Sequence, residues 1–288
     1  MKSYFSLVKF SHTIFAMPFA LAGFFIATRQ QGPDALNWRL LLLVVLCMVF
    51  ARSAAMGFNR WLDRDIDAVN PRTRMREIPS GTIPARSALV FVLVNCLLFI
   101  LTTFFINTLC FLLSPVALAV VLGYSYTKRF TWLCHFVLGL GLALAPVGAY
   151  LAVTGHFAWL PVLLGFTVLF WTAGFDIIYA LQDEEFDKSQ QLYSVPAWLG
   201  KTRALRLSEV LHLVSALLLL TAGWLLHGEL AETGWLAWAG TGIFLGLLLY
   251  QHLIVKPNDL RRVNLAFFTT NGIASLIFGV MTILDLFV

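Results

Sequence analysis

Two short runs hold most of the side chains that can do chemistry. In FNRWLDRDIDAVNPRTRMREIPSG, residues 58–81, Asn59, Asp63 and Asp67 stand four apart. In FDIIYALQDEEFDK, residues 175–188, Asp176, Asp183 and Asp187 follow at steps of seven and four. On a continued helix such spacings put each set on one face, whereas Asp65 points away. Asp63 and Asp67 recur as Asp183 and Asp187 after 120 residues, and nine of the 15 acidic residues fall in the two runs. Stacked carboxylates repel, and at membrane depth they are costly and face internal cavities. Divalent cations with oxygen ligands compensate them most simply. Magnesium takes one or two protein carboxylates and leaves its other positions to water and phosphate. Two such sites facing each other would clamp a diphosphate. Cations stand nearby: Arg72, Arg74 and Arg76 after the first run, Lys128 and Arg129 in YSYTKR, Lys201 and Arg203 after the second. One D-x-x-x-D is commonly a solvated helix end. Two at a fixed offset, each ending an apolar segment, favour the metal–diphosphate reading. Glu184 and Glu185 read as outward, solvated neighbours, and Arg74 and Arg86 as topological charge. Arg52, seven residues before Asn59, lies on the same face but deeper. It could pair a substrate carboxylate bidentately, or be a structural arginine bonding backbone or a neighbouring span.

The elements that must carry these runs are hydrophobic. Of 288 residues, 59% are hydrophobic and 12% charged, against roughly 25% charged in soluble domains. Nine apolar runs approach the length of about 20 residues that crosses a bilayer: 10–28, 39–58, 88–106, 109–126, 132–153, 159–178, 207–227, 235–255 and 266–287. The short connection near Asn107 is the weakest boundary, and the first run is kept as a span, not a cleaved leader. The expected fold is an all-α membrane protein, one unit over 1–288, with a cytoplasmic N-terminus. In that topology 17 of the 20 Lys and Arg residues lie inside, as the positive-inside rule requires. Only Arg29 and Arg39 fall outside, and Arg52 sits within a span. The net charge of +5 is therefore topological and not a nucleic-acid footprint. Cys47, Cys96, Cys110 and Cys134 have no disulfide or zinc spacing. A transporter would also place acids in a membrane, but these cluster at one face, in an arginine-rich segment. No obligate protein partner is evident.

At these residues the chain resembles the UbiA superfamily of intramembrane prenyltransferases. NRWLDRDID matches that family's N-D-x-x-D-x-x-x-D motif at Asn59, Asp63 and Asp67. DEEFD matches its second D-x-x-x-D motif at Asp183 and Asp187, and Asp176 stands at its preceding aspartate. NPRTRMREIPSG is similar to its R-T…R-P-x-P-S-G segment, placing Arg72 and Arg76. YSYTKR is similar to its Y-P-x-x-K-R segment, placing Tyr124, Lys128 and Arg129. Arg60 departs from an aspartate common in the family, and Glu77 from a proline. The resemblance implies nine helices in a ring around a central cavity open laterally to lipid. It implies two magnesium ions, held by Asn59, Asp63, Asp67, Asp183 and Asp187, on a polyprenyl diphosphate. Asp63, Asp67, Asp183, Asp187 and Lys128 would be catalytic. Arg52, Asn59, Arg72, Arg76, Tyr124, Arg129 and Asp176 would bind substrates. The expected reaction ionises the allylic diphosphate and alkylates an aromatic acid, within quinone biosynthesis at a prokaryotic inner membrane. KFSHTIFAMPFA and ARSAAMGFNR look like the 4-hydroxybenzoate branch, and more closely like relatives acting on a dihydroxynaphthoate in the futalosine route to menaquinone. The 25 phenylalanines suit an apolar isoprenoid tunnel, although lipid-facing bulk accounts for most of them.

Overall fold

The computed structural model describes residues 4, 6–7, 15–32, 35–230 and 234–288. Residues 10–14 of the first apolar run, His12 among them, lie outside the described residues. The long helices are α1 (Met17–Gln31), α2 (Trp38–Leu62), α4 (Ala85–Phe104), α5 (Thr108–Thr127), α6 (Cys134–Thr154), α7 (Trp159–Ala180), α9 (Val195–Glu229), α10 (Trp235–Ile254) and α11 (Asn271–Asp285). Two six-residue helices, α3 (Arg64–Val69) and α8 (Glu184–Ser189), follow α2 and α7. Among the described residues, eight helices are long and apolar enough to cross a membrane. The first of the nine expected spans appears as α1, which has 15 residues.

Local chemistry sets the helix ends. Asn37, Asn107 and Ser194 cap α2, α5 and α9 by accepting from the amides of Leu40, Cys110 and Ala197, which takes up donors with no intrahelical partner. The Asn107 cap separates α4 from α5 at the weakest boundary in the sequence. Large apolar side chains are exposed along the outward faces, including Leu93 and Leu97 on α4, Leu112 and Val116 on α5, and Leu213 and Leu217 on α9. Exposed Trp38, Trp159, Trp224 and Trp235 sit at the helix ends remote from the acidic runs, as in a membrane-interface belt.

Helices α2, α4, α5, α6, α7, α9, α10 and α11 pack each on the next, and α1 lies against both α11 and α6. An aromatic core of Phe19, Trp171, Phe244 and Phe278 joins α1, α7, α10 and α11. A π-helical turn at Leu265–Thr270 precedes α11. Asn271 donates to the Ala266 and Phe267 carbonyls, both at 3.0 Å, and accepts from Trp171 Nε1 at 2.9 Å. Its amide thus serves the irregular turn, where a wider helix leaves backbone groups to satisfy.

Backbones approach closely at the α6–α7 seam. A Cβ on Gly139 would lie 2.4 Å from the Leu169 carbonyl oxygen, and one on Gly23 of α1 would lie 2.6 Å from that of Pro146 on α6. Small residues allow such seams where burial from water supplies no attraction between helices. Gly148, also on α6, has nothing within 4 Å of its would-be Cβ. Gly139→Ala should therefore lower the detergent-solubilised protein's thermal unfolding midpoint, at a cost of about 1–3 kcal/mol for overpacking. Gly148→Ala should leave the midpoint in place.

Candidate active site

The two acidic runs are built alike. α2 ends at Leu62, and Asp63 leaves helical geometry with φ −88° and ψ 4° before α3 begins. α7 ends at Ala180, a single 3-10 turn covers Leu181–Asp183, and Asp183 has φ −104° and ψ 4° before α8 begins. The expectation of one continued helix through each run is corrected by these breaks. The i to i+4 relation survives the first break, because the Asp67 amide still donates to the Asp63 carbonyl at 2.7 Å.

Asp63 is 2% exposed. Its Oδ2 pairs with the Lys128 ammonium at 2.5 Å and accepts from Asn59 Nδ2 at 3.2 Å, and its Oδ1 accepts from Arg129 Nη2 at 2.9 Å. Arg129 also donates to the Leu62 and Ser125 carbonyls, so the end of α5 is fastened to the end of α2. Buried Asp67 takes Arg76 Nη1 on both oxygens, at 2.7 and 2.9 Å. Asp183 is joined by a two-pronged bond from Arg72, whose Nη1 also donates to the Tyr179 hydroxyl at 2.8 Å. Burial works to lower the Arg72 pKa, and the bonds and charge of Asp183 outweigh it, leaving it above the ordinary value. This bridge ties the segment after the first run directly to the second.

The remaining acids have other partners. Asp187 accepts from Ser194 Oγ at 2.8 Å, and Asp176 meets His135 Nδ1 at 2.7 Å. Asp65 is exposed, as its spacing requires, and so are Arg74 and Arg86. Glu184 departs from expectation. It is buried and accepts from Lys188 at 2.6 Å, with Lys201 of α9 at 3.9 Å, while Glu185 is exposed. Only its neighbour in the run is solvated, because α9 folds over Glu184. Among the described residues, no three His, Cys, Asp or Glu residues gather into a group that would hold an ion unaided. Asp63, Asp67, Asp176, Asp183 and Asp187 each instead face a partner of the chain itself.

Arg52 and Tyr124 are not among the carboxylates. They line a cavity of about 340 Å³ between α2, α4, α5 and α6, whose walls are otherwise mostly apolar, with Val44, Phe99, Leu113 and Ala145 among them and Thr103 and Ser114 adding hydroxyls. Arg52 Nε is buried with no hydrogen-bonding partner, and so is Arg60 Nε. Sequence reading passed over His135 and Ser194. The available signal for His135 was an ionisable residue just inside an apolar run. Ser194 carried only its helix-cap spacing.

Removing Arg76 strands the buried Asp67 carboxylate. Arg76→Ala should destabilise the protein by about 3 kcal/mol, the scale for breaking a buried ion pair. Arg74→Ala, at an exposed position, should leave thermal unfolding within error of the parent.

A family model described as the UbiA prenyltransferase family matches residues 16–273. The chain is 32% identical over 247 residues to the 4-hydroxybenzoate octaprenyltransferase of Aliivibrio fischeri strain MJ11, spanning 84% of this chain and 82% of the relative. It is 28% identical over 243 residues to the protein of that name from Hydrogenovibrio crunogenus, with 84% and 83% covered. Among solved structures, the apo form of a UbiA homolog from Aeropyrum pernix K1 superposes with a TM-score of 0.84 at 29% identity, over 95% of this chain and 98% of that one. A UbiA homolog from Archaeoglobus fulgidus bound to GPP and Mg2+ gives 0.74 at 22% identity, over 99% and 100%. With its two acidic runs at equivalent helix breaks, the chain belongs to the UbiA prenyltransferase family.

Proposed function

We propose that the chain transfers a polyprenyl group from a polyprenyl diphosphate to the ring of a 4-hydroxybenzoate-type aromatic acid, in the making of a quinone, ubiquinone or menaquinone. One juxtaposition carries this reading. An apolar cavity with a single guanidinium in its wall shares helices α2 and α5 with a cluster of paired carboxylates and cations. The names of the curated relatives support the acceptor class. The GPP and Mg2+ bound by a protein of the same fold support the donor class and the cation. We read residues 1–288 as one unit of nine spans around the cavity, α1 supplying the ninth. The N-terminus and both acidic runs would face the cytoplasm, across an inner membrane.

The donor set fits magnesium. Asn59, Asp63 and Asp67 on one side, and Asp183 and Asp187 on the other, offer hard oxygens with one or two carboxylates to each ion, which leaves room for water and phosphate. Asn59 uses its nitrogen on Asp63 and on Ser125, so its amide oxygen is the atom left for a cation. When bound, magnesium neutralises the charge that gathers on a departing diphosphate. The chain's own cations act alongside. Lys128, Arg129, Arg72 and Arg76 would exchange carboxylate partners for phosphate oxygens, with Arg presenting its fork bidentately. The allylic C–O bond breaks and its electron pair leaves with the diphosphate. The carbocation is attacked by an electron-rich ring carbon, which then sheds its proton. Apolar walls keep water from the cation. Arg52 would pair the acceptor's carboxylate beside Tyr124, and Asp176 would act at the substrate end of α7.

The test is transfer from a labelled polyprenyl diphosphate with magnesium, in membranes containing this chain. 4-Hydroxybenzoate and 1,4-dihydroxy-6-naphthoate are supplied separately. Product from 4-hydroxybenzoate, lost with chelator and in Asp63→Ala and Asp183→Ala, is expected. Product from the naphthoate alone would move the acceptor to the futalosine route. Product from neither, with intact protein in the membrane, would sink the aromatic-acid reading. Arg52→Lys should raise the acceptor KM about tenfold or more, the scale of a lost charge-assisted bidentate pair, with the donor KM little changed. Equal effects on both constants would remove Arg52 from the acceptor site.

A further inference from the structure

Besides the Arg72–Asp183 bridge, His135 also connects the second acidic run to the rest of the site, and the family motifs do not include it. It opens α6 and is buried. Its Nε2 lies 3.2 Å from the backbone amide of Val195, the first residue of α9. That amide has no partner within its own helix, so it donates to Nε2, which must carry the lone pair. The ring proton then sits on Nδ1 and is donated to Asp176 Oδ2 at 2.7 Å. A histidine with one accepting and one donating nitrogen is fixed in tautomer and in ring orientation.

What it holds is the mount of Asp187. Ser194, immediately before Val195, donates to Asp187 Oδ2 at 2.8 Å, and the Leu192 amide donates to the Asp187 carbonyl at 2.8 Å. The same segment is fastened to the end of α5. The Tyr193 amide donates to the Lys128 carbonyl at 2.7 Å, Cys134 Sγ donates to the Tyr193 carbonyl at 3.5 Å, and Trp132 stacks on Trp198 at 4.5 Å. Lys128 in turn holds Asp63. A continuous path therefore runs from the first run through Lys128 to His135, and from His135 to Asp176 and, through Val195 and Ser194, to Asp187.

We infer that His135 is a positioning residue. Its Nδ1–H tautomer would align Asp176 and hold the Ser194–Asp187 pair in place to receive a divalent cation. The inference rests on the proposed reading of the second run as a cation site. Outer groups that orient ligands commonly govern about 10–100-fold in metal affinity.

The experiment measures Mn2+ binding by electron paramagnetic resonance on the purified full chain, without prenyl donor, alongside thermal unfolding. His135→Leu removes both bonds. His135→Gln keeps one donor and one acceptor on a side chain of similar reach. Ser194→Ala removes the Asp187 bond and leaves His135 intact. The expected result is Mn2+ affinity about tenfold weaker in His135→Leu and in Ser194→Ala, with His135→Gln near the parent. The magnesium needed for half-maximal transfer should rise in step. A loss of thermal stability with unchanged Mn2+ affinity in folded His135→Leu would make the residue merely structural and overturn the inference. Should His135→Leu not fold, unchanged affinity in Ser194→Ala would overturn it instead. Asp187→Ala separates the two levels. If it binds Mn2+ as tightly as the parent, the cation-site reading of the second run fails, independently of His135.

Discussion

A carboxylate removed from water must find a positive partner or a full set of donors, and the arrangement of this protein follows from that requirement at Asp63. The residue stands where a long apolar helix ends, with almost none of its surface exposed. Its two oxygens are taken by Lys128 and Arg129 from the end of another helix and by Asn59 from its own. Those bonds fix where α5 ends relative to α2. Everything the connection after α5 touches inherits that placement, including the start of α6 and the first turn of α9. Asp67 and Asp183 obey the same rule through Arg76 and Arg72, and so the arginine-rich segment after α3 lies over both acidic runs.

The two runs repeat more than a spacing. Each begins with a long helix, leaves helical geometry at its first D-x-x-x-D aspartate, in the second run after a 3-10 turn, and continues as a helix of six residues. The partners differ. The first pair is held by cations alone apart from Asn59, whereas Asp187 is held by a serine that doubles as a helix cap. A similar backbone frame is thus furnished with different chemistry on its two sides.

Much of this was legible in the sequence because charge is scarce in it. Against hydrocarbon, the two acidic runs and the cationic residues after them stand out, and asparagine at 107 marked a boundary that hydrophobicity blurs. The helix breaks were not legible, since a step of four residues reads the same whether or not the helix pauses at Asp63. Nor was the burial of Glu184, which depends on Lys201 arriving from α9. His135 escaped because its partners, Asp176 and the Val195 amide, are 41 and 60 residues away. Periodicity put Arg52 on the face of Asn59, but only the fold revealed that its Nε meets no acceptor and that the surrounding wall is mostly apolar.

The glycine seam between α6 and α7 has a mechanical consequence. Where backbones touch, as Gly139 does the Leu169 carbonyl, neither helix can roll or slide without collision, and the cavity wall that α6 forms, backed by α7, is stiff. The opposite wall of the cavity is made by α4 and α5, whose outward faces carry exposed leucine and valine. Such side chains exchange neighbours at little cost in a fluid hydrocarbon surrounding. Compliance is therefore concentrated on one side of the chamber. A long, floppy guest would be accommodated by displacement along that wall, away from the end of α5 that Lys128 and Arg129 fasten to Asp63.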